Sequence, residues 1–163
     1  FFMRFNASLD MLSKIVTAII ALTSLVLIVI GIINLQEYTQ MMIFPVSLIL
    51  VTLFITFLYA PLEYEINPQN ISIIRRVNSF VIQRSEILSI EPLSDDEMGR
   101  AWRLFGNGGM FGYTGWFSSS KQGRMRWFVS QRKNYIAITL QNHKKYIVSP
   151  DDVDGFMQAL QYS

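Results

Sequence analysis

Five of the nine glycines fall within Gly106–Gly115, at positions 106, 108, 109, 112 and 115, and Phe105, Phe111, Tyr113, Trp116 and Phe117 are interleaved with them or border them. A glycine loop that cradles phosphate needs Gly-x-x-x-x-Gly-Lys-Ser/Thr, or Gly-x-Gly-x-x-Gly opening a helix, so that backbone N–H groups converge on the anion. Here Gly106-Asn107-Gly108-Gly109-Met110-Phe111 misses the third glycine by one position, no Lys-Ser follows, and no helical pattern opens after it. A nucleotide loop is therefore set aside. Two readings stay open. In one, the segment is a long irregular hairpin whose glycines take positive φ while its aromatics tuck against a β core. In the other it is a surface loop whose rings sit at a lipid interface or grip a partner protein.

Basic residues flank the same segment: Arg100 and Arg103 before it, Lys121, Arg124 and Arg126 after it. Pairing of the flanks as a hairpin would gather these charges, each worth on the order of 1 kcal/mol near an anionic leaflet. The candidate binding surface is thus Phe105, Phe111, Tyr113, Trp116 and Phe117 together with Arg100, Arg103, Lys121, Arg124 and Arg126. Catalytic chemistry finds no support. The single histidine, His143, falls in a turn pattern with no nucleophile placed beside it, and the chain has no cysteine. Asp95-Asp96-Glu97 is the only acidic triplet, and without further ligands at set spacing it reads as a solvated turn, not a cation site. No metal, cofactor or catalytic residue is expected. Nucleic-acid binding is set aside as well, because the net charge is only +2 and ten acidic residues share the domain with its twelve basic ones.

What positions this segment follows from the uneven spread of charge. Only Arg4, Asp10, Lys14 and Glu37 are charged among the first 62 residues, and the other 22 charged residues lie beyond. Residues 15–33 and 41–60 are apolar runs of about 20 residues, the length a helix rising ~1.5 Å per residue needs to cross a ~30 Å hydrocarbon layer. The short linker 34–40 makes them an antiparallel hairpin, with Pro45 tolerated near a helix start and Pro61 ending the second run. The linker carries no Lys or Arg, whereas the flanks do, so the positive-inside rule puts both termini in the cytoplasm.

Beyond residue 62 the pattern is short and β-rich. Runs at 64–66, 71–77, 80–83, 87–93, 126–131, 135–141 and 146–148 read as strands, with turns at Asn67-Pro68-Gln69-Asn70 and Asn142-His143-Lys144-Lys145. Ser149 as N-cap, Pro150 at the first helical position and Asp151 and Asp152 in the first turn predict a closing helix over 150–162. Val153, Phe156, Met157 and Leu160 share one of its faces. The expected architecture is an α+β membrane protein: residues 1–61 a two-helix transmembrane anchor, residues 62–163 a small antiparallel β-barrel or sandwich capped by a C-terminal helix.

Two apolar helices followed by a strand-rich domain that contains Leu93-Ser94-Asp95-Asp96-Glu97-Met98, the stretch Arg103-Leu104-Phe105-Gly106-Asn107-Gly108-Gly109-Met110-Phe111-Gly112-Tyr113 and a closing Ser149-Pro150-Asp151-Asp152 resemble the membrane-anchored bacterial PH-domain family. The likeness covers residues 62–163 and, more loosely, the helices before them. It implies a PH-like fold of two nearly orthogonal antiparallel sheets capped by a helix, in a multi-pass protein of the bacterial cytoplasmic membrane, and it brings no known activity. Eukaryotic PH domains often bind phosphoinositides around their first hairpin. The corresponding region here, Glu63–Gln83, supplies only Arg75 and Arg76 on that count, so that ligand is not carried over. The function that follows is a non-enzymatic, membrane-tethered binding or adaptor module for a protein partner or lipid headgroups. The alternative is a structural subunit of a membrane complex assembled through its helices, which contain Gly31 as their only glycine and no Gly-x-x-x-Gly pair.

Overall fold

The structure, a computed structural model, describes residues 2–33 and 39–162. The chain opens with strand β1 (Met3–Asn6) and then enters helix α1 (Met11–Ile33) and helix α2 (Thr39–Tyr59), which lie alongside each other. The expected linker lies largely outside the described residues. Helix α1 begins four residues before the apolar run, so Lys14 is inside it, and Pro45 is carried within α2. Of the described helices, α1 has the length and apolarity to cross a membrane; the apolar stretch of α2, Ile43–Tyr59, is shorter.

Nine more strands follow: β2 (Pro61–Ile66), β3 (Asn70–Arg75), β4 (Ser79–Gln83), β5 (Ile87–Leu93), β6 (Ala101–Gly109), β7 (Gly112–Ser119), β8 (Gly123–Val129), β9 (Tyr135–Leu140) and β10 (Lys145–Val148). A 3-10 turn (Arg84–Glu86), helix α3 (Asp95–Met98) and the closing helix α4 (Val153–Tyr162) are the remaining elements among the described residues. They form two sheets, β1-β2-β3-β4 and β5-β9-β10-β8-β7-β6, with no strand pairing between them, so the architecture is sandwich-like and not a closed barrel. Every strand pair is antiparallel except β10 with β8.

Strand β1 departs from the sequence expectation. Met3–Asn6, assigned with the anchor, pairs antiparallel with β2 in the register Met3↔Ile66 to Asn6↔Glu63, so it is a strand of the domain's own sheet. Its polar edge is tied by Arg4, which lies 3.7 Å from Glu63 and 3.5 Å from Glu65. Its apolar face places Phe5 edge-on against Phe156 at 5.3 Å between ring centres. The chain thus leaves the sheet through α1 and returns to it from α2.

The main core lies between the two sheets and α4, where Tyr64, Ile66, Ile71, Ile73, Ile136, Ile138, Val148 and Phe156 are buried. Each such side chain contributes roughly 1.5–3 kcal/mol through removal from water. The alternation along β9 correctly separates two faces, yet Tyr135 and Ala137 are buried too, because a second cluster with Met98, Met125, Trp127 and Ile147 covers the other face. Tyr64 bridges the layers. Its hydroxyl donates to the Phe128 carbonyl at 2.6 Å and accepts from Ser149 N–H at 3.2 Å, while burial pushes its phenol up to about 12.

The closing helix starts at Val153, three residues later than expected, and Ser149 does not cap it. Ser149 is buried, and its hydroxyl accepts from the Ser130 N–H at 2.9 Å, joining the end of β10 to the end of β8. Asp152 takes the capping role by accepting from Gly155 N–H at 2.9 Å. Asp151 instead accepts from the N–H and hydroxyl of Ser8, at 3.1 and 2.6 Å, and so ties the segment before α1 to the domain.

Candidate functional site

The glycine–aromatic segment is an ordered hairpin, β6 paired with β7 from Ala101↔Ser119 to Gly109↔Gly112. Gly106 and Gly115 face each other across it at φ +116° and +130°. A Cβ on Gly106 would strike the Thr114 carbonyl oxygen, and one on Gly115 the Phe105 carbonyl oxygen. These two positions therefore require glycine for both backbone angle and space. Leu104 is the extra residue in a bulge between Arg103 and Phe105, and bulges of this kind re-aim the side chains that follow.

The tip of the hairpin docks on α1. The buried Ser13 hydroxyl donates to the Gly109 carbonyl at 2.8 Å and accepts from the Gly112 N–H at 2.7 Å. One turn further along α1, the Thr17 hydroxyl accepts from the Phe111 N–H at 3.0 Å. Asp10 gathers three donors before α1 begins: Ser13 N–H at 2.7 Å, the Tyr113 hydroxyl at 3.1 Å and Arg132 N–H at 3.0 Å. The Tyr113 phenol is held well above its ordinary value, first by burial and then by the Asp10 charge. On α2, Phe57 meets the Phe111 ring edge-on at 5.2 Å. Asn107 secures the turn from within, accepting from Met110 N–H at 3.0 Å and donating to the Met110 and Gly112 carbonyls. The tip is thus packed, but inside the molecule's own helix–sheet junction.

The ten candidate surface residues divide accordingly. Tyr113 and Phe117 are buried, 3% and 5% exposed, with Phe117 stacked on Trp127 at 4.2 Å, so they belong to the core and not to an outward surface. Phe111 is half-buried against Phe57. Phe105 stands 77% exposed, and Trp116 is half-buried under the guanidinium of Arg124 at 4.6 Å. The basic residues do not form one patch. Lys121 is paired with Asp96 at 3.0 Å, Arg103 lies along Gly108, Arg100 is exposed at the start of β6, and Arg124 and Arg126 occupy the opposite side of the strand from Trp127. Sequence reasoning missed Trp102 and Leu104, which are half-exposed beside Phe105, because a bulge in a strand leaves no periodic signal.

Across the three strands, the cross-strand pairs Phe105↔Trp116 and Trp116↔Arg126 place Phe105, Trp116 and Arg126 in one row on the face turned toward α2. Between this face and α2 opens a pocket of about 480 Å³, lined on the helix side by Thr52, Ile55, Thr56 and Tyr59 and on the sheet side by Phe105, Thr114, Arg126 and Phe128. Arg75 enters it from the other sheet. Its register partner is Pro61, the first residue of β2 and two beyond the end of α2, so it sits where the helix joins the domain. Both cations lie near the Phe128 ring, the Arg75 guanidinium 5.7 Å and that of Arg126 5.1 Å from its centre. Burial, and then the neighbouring Arg126 charge, hold Arg75 below its usual value. Its Nε is buried with no hydrogen-bond partner.

The remaining motifs are structural. Asp95-Asp96-Glu97 is helix α3, closed by a reciprocal cap in which Ser94 N–H donates to Glu97 at 2.8 Å and Glu97 N–H to the Ser94 hydroxyl at 3.2 Å. Those bonds hold the Glu97 carboxyl below its ordinary value. His143 is exposed in the β9–β10 turn at φ +61°. Among the described residues no group of three His, Cys, Asp or Glu could hold a metal ion.

Compared with known proteins, residues 62–163 match the family model described as the bacterial PH domain. No curated protein and no solved structure matches the chain. The chain belongs to the bacterial PH-domain family, whose fold is generally used as a non-catalytic binding module for proteins or lipids.

Proposed function

We propose that this bacterial PH-domain protein is a non-enzymatic binding module tethered to the cytoplasmic membrane by α1 and α2. It engages lipid headgroups or a protein partner through the β6–β7–β8 face beside those helices. The observation that carries this reading is the docking of the β6–β7 tip on Ser13 and Thr17 of α1. It fixes an exposed Phe105, flanked by Trp102 and Leu104, next to the apolar length of α2, where solvent alone would disfavour three large apolar side chains. The β1–β2 pairing supports a two-span anchor with both ends on one side, since the segments before α1 and after α2 are bonded to each other. The distribution of Lys and Arg supports the cytoplasmic side.

The test is tryptophan fluorescence of the full chain in proteoliposomes containing brominated phosphatidylcholine, which quenches only rings at the bilayer. Trp127 is buried in the domain, so quenching reports Trp102 and Trp116. The reading expects strong quenching that disappears in the Trp102→Phe/Trp116→Phe variant, and a chain that resists extraction from membranes by alkaline carbonate. Release by carbonate refutes the tethering, and unquenched fluorescence refutes engagement of lipid by this face and leaves it to a protein partner.

A further inference from the structure

We propose that the pocket between α2 and the sheet binds one anionic phospholipid, its phosphate held by Arg75 and Arg126 and an acyl chain lying along Ile55 and Phe105. The inference deepens the membrane-tethered reading and rests on it.

Two guanidiniums from different sheets converge on one ring with no carboxylate between them. Among the described residues the cations in ion pairs are Arg4 and Lys121 only, and neither Arg75 nor Arg126 donates a side-chain hydrogen bond there. Their partners are rings alone, Tyr59 and Phe128 for Arg75 and Phe80, Trp116 and Phe128 for Arg126, and the Arg126 charge disfavours the partly buried Arg75 cation. Fixed planar donors around an empty space are the arrangement that a phosphate satisfies, because guanidinium forks match its oxygens and form charge-assisted bonds. The Arg75 Nε is enclosed by protein and unpartnered, so the terminal nitrogens of its guanidinium are the ones left to meet a phosphate.

The rest of the pocket is unlike a site for a free ion. Its volume of about 480 Å³ lies within the roughly 300–1,000 Å³ typical of small-molecule sites. Away from the arginines the lining includes Ile55, Met110 and Phe105 together with the polar Asn107 and Thr114, while the Thr52 and Thr56 hydroxyls are already spent on carbonyls within α2. From Tyr59 back to Thr52 the helix runs about 10 Å, at 1.5 Å per residue, from the charged end toward the apolar length of the helix. The charged end lies where α2 meets the domain, the level at which phosphates of a bilayer would stand. A polar end and an apolar groove in that order fit an amphiphile. A choline headgroup would bring its own cation against two arginines, so an anionic lipid is favoured.

The experiment uses the full chain, purified in a mild non-ionic detergent and stripped of lipid, with thermal unfolding and binding followed as phosphatidylglycerol, phosphatidylcholine or inorganic phosphate is added. Saturable binding of phosphatidylglycerol, at least about tenfold tighter than phosphatidylcholine and with no matching effect of inorganic phosphate, is expected. Arg126→Gln should weaken phosphatidylglycerol about tenfold or more, and Arg75→Gln likewise. If Arg75→Gln fails to fold, the half-buried Arg126 and the wild-type lipid comparison decide the matter. Equal binding of the two lipids, or an unchanged affinity in Arg126→Gln, overturns the proposal. Stabilisation by inorganic phosphate equal to that by the lipid assigns the site to a free anion and overturns it too. These failures leave carbonate resistance intact, whereas release by carbonate sinks the tethering itself.

Discussion

Replacing Ser13 by Ala should unfasten the β6–β7 tip from α1 and leave the rest of the domain folded. The Ser13 side chain is fully buried, and its single hydroxyl serves two backbone groups, the Gly109 carbonyl at 2.8 Å and the Gly112 N–H at 2.7 Å. Alanine removes both partners at once, and each buried backbone group left unpaired costs about 1–3 kcal/mol. The tip therefore loses on the order of 2–6 kcal/mol of local stability, which at 1.4 kcal/mol per tenfold is a rise of about 30-fold to about ten-thousandfold in the open population. Three attachments remain, Thr17 to Phe111, Asp10 to Tyr113 and Phe111 to Phe57, so the change stays local. Hydrogen exchange of the full chain in detergent, resolved on peptides covering 104–118 and 135–148, reads it directly. The first region should exchange at least about 30-fold faster and the second should be unchanged. Ser24→Ala is the control, because the Ser24 hydroxyl only returns to the Ile20 carbonyl within α1. Wild-type exchange across 104–118 in Ser13→Ala would refute the docking of the hairpin, and equal acceleration in both regions would show that the junction is not a separable unit.

Alkaline pH should destabilise the domain in a defined window. The folded state holds the Tyr64 proton more tightly than the unfolded chain, about 12 against 10.0, so stability is fully present below pH 10 and is lost as pH rises through about 12. The loss attributable to Tyr64 is about 3 kcal/mol, and Tyr64→Phe should flatten that part of the decline in denaturant midpoints measured from pH 8 to 12. At the glycine pair, Gly106→Ala and Gly115→Ala should each cost about 2–3 kcal/mol, because the new methyl meets backbone carbonyl oxygens that cannot swing aside. Thermal melts of the two single variants and the double should show a double less destabilised than the sum, since one separation of the strands relieves both collisions; strict additivity would contradict it.

Much of the architecture was legible in the residues. The two apolar runs, the strand pattern after residue 62 and the helical stripe Val153, Phe156, Met157 and Leu160 all arise from local periodicity, which a chain carries whatever its fold. The capping of the last helix was misplaced, because Ser149 and Asp152 are equally good caps by type, and only the buried bond from Ser149 to β8 removes the first from competition. Likewise the aromatics of the hairpin stand out by type, but type alone could not divide Phe105, exposed, from Phe117, stacked in the core. A four-residue strand such as Met3–Asn6 is too short to show a period, and its partner lies beyond two helices in sequence.

The sequence by itself determined which segments are apolar, which alternate and which must turn, because those properties depend on neighbours a few residues away. Tertiary structure alone decided that Asp10, Ser13 and Thr17 would become the seat of a hairpin roughly a hundred residues later, and that Arg75, negligible as one of two basic residues in its own hairpin, would meet Arg126 at the Phe128 ring. Charge and hydrogen-bonding groups act through space and take their meaning from what folding sets against them, and no spacing along the chain records that distance.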